Sequence, residues 1–197
     1  MSASGILYVY MMKKEKTQSY LLKIWYQPSR TVKTLLYSDI EWGHRVALVI
    51  AGLFGALVGG RAYLAAEAPA ISWIGYGLVG GICGLYILAL LLRNFSRLFG
   101  GEALCVEVRT ALGLAILPWL ILNGILLILL YNEVDEITIR SSIPFLFGGL
   151  IYGYIIVLLS VAAGLGVSAL RAFVCLCLAL LVAFFSINLI VSLLLRV

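Results

Sequence analysis

The sequence predicts an all-α integral membrane protein: a bundle of five transmembrane helices preceded by a short amphipathic interfacial helix. Three observations carry this. Uncharged apolar runs cover Val46–Gly60, Ala68–Leu92, Thr110–Asn132, Ser141–Leu170 and Ala172–Leu195, and about 20 such residues cross the hydrocarbon of a bilayer. The 197-residue chain is 63% hydrophobic and only 12% charged, with a mean hydropathy of +1.11, a balance suited to lipid rather than water. The runs also lack the sustained apolar–polar alternation of a lipid-facing barrel strand, so helices must satisfy their backbone groups.

Residues 1–41 read as a cytoplasmic arm and residues 42–197 as the transmembrane domain. Gly5–Met12 is a short apolar run with no basic residue before it, unlike a secretory signal peptide. Met12, followed by Lys13 and Lys14, reads as an alternative translation start. Leu21, Leu22, Ile24 and Trp25 precede Pro28, and Val32, Leu35, Leu36 and Ile40 follow it at helical spacing, with Arg30, Lys33, Thr34 and Ser38 on other faces. That pattern is an amphipathic helix lying on the inner membrane surface. Pro28 suits its first turn, where a missing N–H loses nothing. Trp25, Tyr26, Tyr37 and Trp42 belong at headgroup depth. An anchor for the first span explains this arm most simply; a docking surface built on Trp25, Pro28, Arg30, Lys33 and Trp42 is the functional alternative.

The spans follow as Val46–Ala66, Ile71–Leu92, Thr110–Tyr131, Pro144–Ala163 and Leu170–Leu195. Span one reaches full length only by including Arg61. An arginine at the centre of a span costs about 2.5–3.5 kcal/mol, so Arg61 is expected near the outer end with its stem reaching the headgroups. Small residues recur four apart in span one (Gly52 and Ala56, Gly55 and Gly59), span two (Gly77 and Gly81, Gly80 and Gly84) and span four (Gly149 and Gly153). This spacing lets helices approach closely, within the chain or between copies of it in a homo-oligomer. In span three Pro118 removes a backbone donor and bends the helix about a turn earlier, with Asn123 roughly one turn beyond. Asn188 is the buried amide of span five, expected to bond another helix.

Charge sets the orientation. Seven of the 14 Lys and Arg precede the first span, namely Lys13, Lys14, Lys16, Lys23, Arg30, Lys33 and Arg45. Arg93, Arg97, Arg109 and Arg171 join them on the inner side, leaving Arg61, Arg140 and Arg196 outside. The N-terminus is therefore inside and the C-terminus outside. The net charge of +5 is concentrated where anionic headgroups lie, which explains it without nucleic acid.

No catalytic constellation is visible: acidic residues avoid the spans, histidine occurs once, and no serine sits in a nucleophile elbow. His44 is a lone interfacial histidine, without the companions a metal needs. Cys175 and Cys177 are two apart on a helix and face different ways, Cys83 reads as a small core residue, and Cys105 lies near the inner interface. No enzyme activity, cofactor or metal is expected.

Three stretches carry a resemblance: Ile24-Trp25-Tyr26-Gln27-Pro28-Ser29-Arg30 before the first span, Leu91-Leu92-Arg93 leading to Phe99-Gly100-Gly101 after the second, and Gly113 through Pro118 in the third. In order and spacing they resemble the Yip (Ypt-interacting protein) domain family, most closely its short prokaryotic-type members, over nearly the whole chain from about Trp25. The resemblance implies a non-enzymatic five-span membrane protein. Eukaryotic relatives bind prenylated small GTPases and act in vesicle traffic between endoplasmic reticulum and Golgi, and they carry a longer cytoplasmic arm with an Asp-Leu-Tyr-Gly-Pro motif. Here Asp39-Ile40-Glu41-Trp42-Gly43 stands near that place, and Leu114 rather than tyrosine follows Gly113. The resemblance thus narrows architecture more than function.

The function expected from sequence is an interaction or membrane-organising protein of a prokaryotic plasma membrane, with lipid headgroups, other membrane proteins or further copies of itself as partners. The alternative is a transporter or channel for a small or lipidic solute, through a cavity near the bent third span that Arg61, Pro118 and Asn123 would line.

Overall fold

The computed structural model describes residues 20–66, 70–131 and 136–194. Gly5–Met12, Lys13, Lys14, Lys16 and Arg196 lie outside the described residues. In chain order the helices are α1 (20–26), α2 (Pro28–Ser38), α3 (Ile40–Ala66), α4 (Ala70–Leu98), α5 (Cys105–Ala115), α6 (Leu117–Tyr131), α7 (Glu136–Leu165) and α8 (Ala169–Leu194), with no strand among the described residues. Five stretches are long and apolar enough to cross a membrane: Ile40–Ala62, Ser72–Leu98, Cys105–Leu129, Arg140–Leu165 and Ala169–Ser186. The chain is an all-α, multi-pass membrane bundle.

The helix ends depart from the hydropathy boundaries for local reasons. α3 begins at Ile40 rather than Val46 because Asp39 caps it, its Oδ1 accepting the Trp42 N–H at 3.1 Å. α4 continues past Leu92 to Leu98. It stops where Gly100 turns left-handed at φ 79°, with Gly100 N–H donating to Arg97 O and Gly101 N–H to Ser96 O, at 3.2 and 2.8 Å. Gly166, at φ 67°, closes α7 the same way, with Val167 N–H on Ala162 O at 3.2 Å. Both are Schellman caps, whose left-handed residue favours glycine. α7 starts at Glu136, so Pro144 stands inside the helix and does not open it. Proline's φ is helical, and a membrane helix tolerates the one lost hydrogen bond.

The third span is interrupted at Ile116, which divides it into α5 and α6. Pro118 has no N–H for the Leu114 carbonyl, and its ring crowds that carbonyl. Bonding resumes on both sides: Ile116 N–H donates to Leu112 O at 3.2 Å, and Leu120 N–H to Ile116 O at 2.9 Å.

Small residues set the packing. A methyl group on Gly55 would strike the Gly77 carbonyl, one on Gly77 the Gly55 carbonyl, one on Gly59 the Trp73 carbonyl, and one on Gly81 the Ala51 carbonyl. The α3 and α4 backbones are therefore in direct contact, and this glycine pattern is used within the chain. Gly80 and Gly84 meet nothing within 4 Å. Gly113 abuts Ala47 on α3, and Gly164 of α7 abuts Ala111. α5 is thus held between α3 and α7, with Thr110 through Ala115 all buried.

One cluster of buried side chains, including Leu92, Leu112, Val161 and Leu176, joins α4, α5, α7 and α8. A second, including Ile24, Val32, Leu35, Ile50 and Ile156, joins the arm to α3, α5 and α7. This second cluster corrects in part the expectation that the apolar side of the arm faces lipid: Val32 and Leu35 are 0% exposed because protein covers them, whereas Leu22 and Tyr26 are 67% and 64% exposed. Two smaller expectations also fail. Cys83 is exposed rather than in the core, and Asn188 is exposed, its amide donating to Phe184 O of its own helix at 2.8 Å.

Candidate functional site

The residues singled out in the sequence fall into two groups at different heights of the bundle. Arg61 stands five residues before the end of α3, about 8 Å along the axis. Its Nη1 donates to Asn123 Oδ1 at 2.9 Å. Asn123 is buried, 7% exposed, and its Nδ2 donates to Trp119 O at 2.9 Å. A chain of two hydrogen bonds thus runs from α3 into the first turns of α6. Pro118 is buried beside Trp119; it supplies the break that starts α6. The arrangement satisfies an arginine and an amide inside an apolar bundle, where unpaired groups are costly.

The arm residues of α2 lie toward the opposite end, and α1 runs from there into the bundle. Pro28 occupies the first turn of α2 as expected. Gln27, at φ −137° and ψ 59°, bends the arm there because the residue before proline is pushed out of the helical region. Ser29 Oγ donates to Leu159 O at 3.1 Å, and the Tyr152 hydroxyl donates to the Trp25 carbonyl. Trp25 also stacks on Tyr152, with centroids 6.3 Å apart. Tyr152 lies thirteen residues before Leu165, about 20 Å along α7. The arm therefore runs beside α7 into the bundle, and Trp25 is a packing residue there. Trp42 packs on Tyr20, with centroids 6.3 Å apart. Arg30, Lys33 and Tyr37 are exposed.

Lys33 and Tyr37 border a cleft of about 440 Å³ that the α4–α5 turn (Gly100, Glu102) and the α7–α8 turn (Gly166) complete. The two Schellman glycines so place both turns against α2. Glu107, also in the wall, is committed to the start of α5, its Oε2 accepting the Leu104 N–H at 2.8 Å. The three segments share one end of the bundle, as an alternating topology requires. Arg171 reinforces this, its Nη1 donating to Phe99 O at 3.3 Å.

Sequence reasoning missed a third constellation. Arg93 Nη1 donates to Cys105 Sγ at 3.3 Å, and Arg109 Nε to Cys105 O at 3.2 Å. The Arg109 guanidinium lies 4.4 Å from the Tyr86 ring centre, and His44 meets that ring edge-on at 6.4 Å. In the sequence each arginine reads only as a charge setting the orientation. The signal available was that Arg93, Cys105 and Arg109 all fall within the turn of chain joining spans two and three.

Among the described residues no group of three or more His, Cys, Asp or Glu stands ready to hold a metal. Neither any curated protein nor any solved structure gives a significant match to the chain. The family model described as the Yip1 domain matches residues 22–190, from the arm helix to the last turns of α8, the whole of the unit whose packing is described above. This chain belongs to the Yip1 domain family.

Proposed function

We propose that this protein is a non-enzymatic membrane organiser that holds partners at the arm-bearing end of its bundle, in the plasma membrane of a prokaryote with that end in the cytoplasm. One observation carries the reading: the apolar side of α2 is sealed into the bundle, while Arg30 is exposed and Lys33 and Tyr37 border a cleft completed by two interhelical turns. A helix whose apolar side is already covered is not needed as a lipid anchor. Its polar side is then rigidly displayed, which suits recognition of a partner. Anionic headgroups, membrane proteins and further copies of the chain are the partners this end would meet, Arg30 and Lys33 favouring acidic surfaces.

Crosslinking in native membranes followed by mass spectrometry tests this. A recurrent neighbour attached through Lys33 is expected, and its yield should fall when Arg30 is changed to glutamate with Lys33 kept as the attachment point. The transport alternative draws on Arg61 and Asn123 at the interrupted third span; their bond to each other favours a clamp over a gate. Solute or lipid movement through liposomes carrying the purified protein, above that of empty vesicles, would reverse the ranking.

A further inference from the structure

We infer that Arg93 and Arg109 form a recognition site for the phosphate of an anionic phospholipid headgroup, an assignment that rests on the cytoplasmic orientation proposed above. Both guanidinium groups converge on one residue, Cys105, through Sγ at 3.3 Å and the carbonyl oxygen at 3.2 Å. A thiol is a weak acceptor, so most of the ten guanidinium N–H bonds these two side chains carry find no strong partner there. Among the described residues the ion pair is that of Arg45 with Glu41, and no carboxylate reaches Arg93 or Arg109. Both guanidinium groups thus contact Cys105 with no carboxylate partner among the described residues, and Arg93 Nε and His44 Nδ1 are buried without hydrogen-bond partners.

An anion bound by the two arginines would supply the missing partner. Arginine's planar fork matches the oxygens of a phosphate, and the Tyr86 face, 4.4 Å away, fixes the Arg109 plane. Depth selects the lipid form. Arg93 lies five residues before the end of α4, and Arg109 is the fifth residue of α5, each about 6–8 Å inside its helix end. Tyr86 and Leu90 on α4 are 42% and 50% exposed, offering apolar surface for an acyl chain next to the charged pair.

The test uses the full chain in neutral detergent, titrated with phosphatidylglycerol, phosphatidylcholine or sodium phosphate and read by native mass spectrometry and by thermal shift. Phosphatidylglycerol should bind and raise the melting temperature, whereas phosphatidylcholine should do neither. The double variant Arg93→Gln/Arg109→Gln should lose about tenfold in apparent affinity, and Arg45→Gln/Arg97→Gln, at the same end, about twofold or less. If the first pair fails to fold, each single substitution serves, with a smaller loss expected from each. Equal losses in both doubles would reduce the effect to general charge and overturn the site. Sodium phosphate binding as tightly as the lipid would overturn the lipid assignment. Because binding is read in detergent, it is independent of orientation, which reporter fusions determine separately.

Discussion

Arg61 and Asn123, 62 positions apart in the chain, meet through a 2.9 Å hydrogen bond that ties α3 to α6 within the membrane-spanning bundle. The amide spends its other end on the Trp119 carbonyl, so the guanidinium is oriented by a partner that is itself fixed. Charged hydrogen bonds of this kind contribute about 1.5–3 kcal/mol in water-soluble proteins, and bonds between membrane helices average less, about 0.6 kcal/mol. A double-mutant cycle of Arg61→Ala and Asn123→Ala, followed by unfolding in detergent, should give a coupling of about 1 kcal/mol. Additive losses would mean the two side chains act independently.

The α3–α4 contact should be the least forgiving place in the bundle. Gly55→Ala drives a methyl group into the Gly77 carbonyl, and backbone cannot move aside as a side chain can. A loss of about 2–3 kcal/mol is expected, the upper range for overpacking. Gly80→Ala, on the facing helix α4 but with nothing within 4 Å, should change stability by less than about 0.5 kcal/mol. Melting temperatures of the two variants in one detergent make the comparison.

How far the sequence could be read follows from what lipid does to the hydrophobic signal. Five crossings were legible because apolar length is decisive in a bilayer, and the break before Pro118 because a missing N–H acts locally. The glycines Gly55, Gly59, Gly77 and Gly81 announced close packing through their spacing alone. Lipid and protein interior are equally apolar, however, so the pattern of Val32 and Leu35 does not say which of them covers the arm. Cys83 was misplaced for the same reason. Pro144 inside α7 was unreadable because proline's φ is already helical. The Arg61–Asn123 bond and the meeting of Arg93 with Arg109 at Cys105 depend on which helices become neighbours, which single-chain periodicity does not encode.

The arm offers a direct contrast between a side chain sealed by protein and one facing outward. Leu35 is 0% and Tyr37 92% exposed, two residues apart on α2. Leu35→Ala leaves a hole among α2, α3 and α5 and should cost about 2–5 kcal/mol. Tyr37→Ala should cost about 0.5 kcal/mol or less. Equally small effects on unfolding in detergent would mean that the arm is held by lipid and not by the bundle.

The two Schellman caps give a prediction about backbone rather than packing. Gly100 and Gly166 have open space around the position a Cβ would take, so any penalty for alanine there is conformational. With φ at 79° and 67°, each alanine should cost about 1–2 kcal/mol. The same caps bring the two turns to α2 around the cleft. Loosening them should therefore weaken the Lys33 crosslink to a partner more than the Arg61–Asn123 coupling at the far end. A uniform loss at both ends would instead mean that the bundle unfolds as one unit and that the cleft has no separate rigidity to lose.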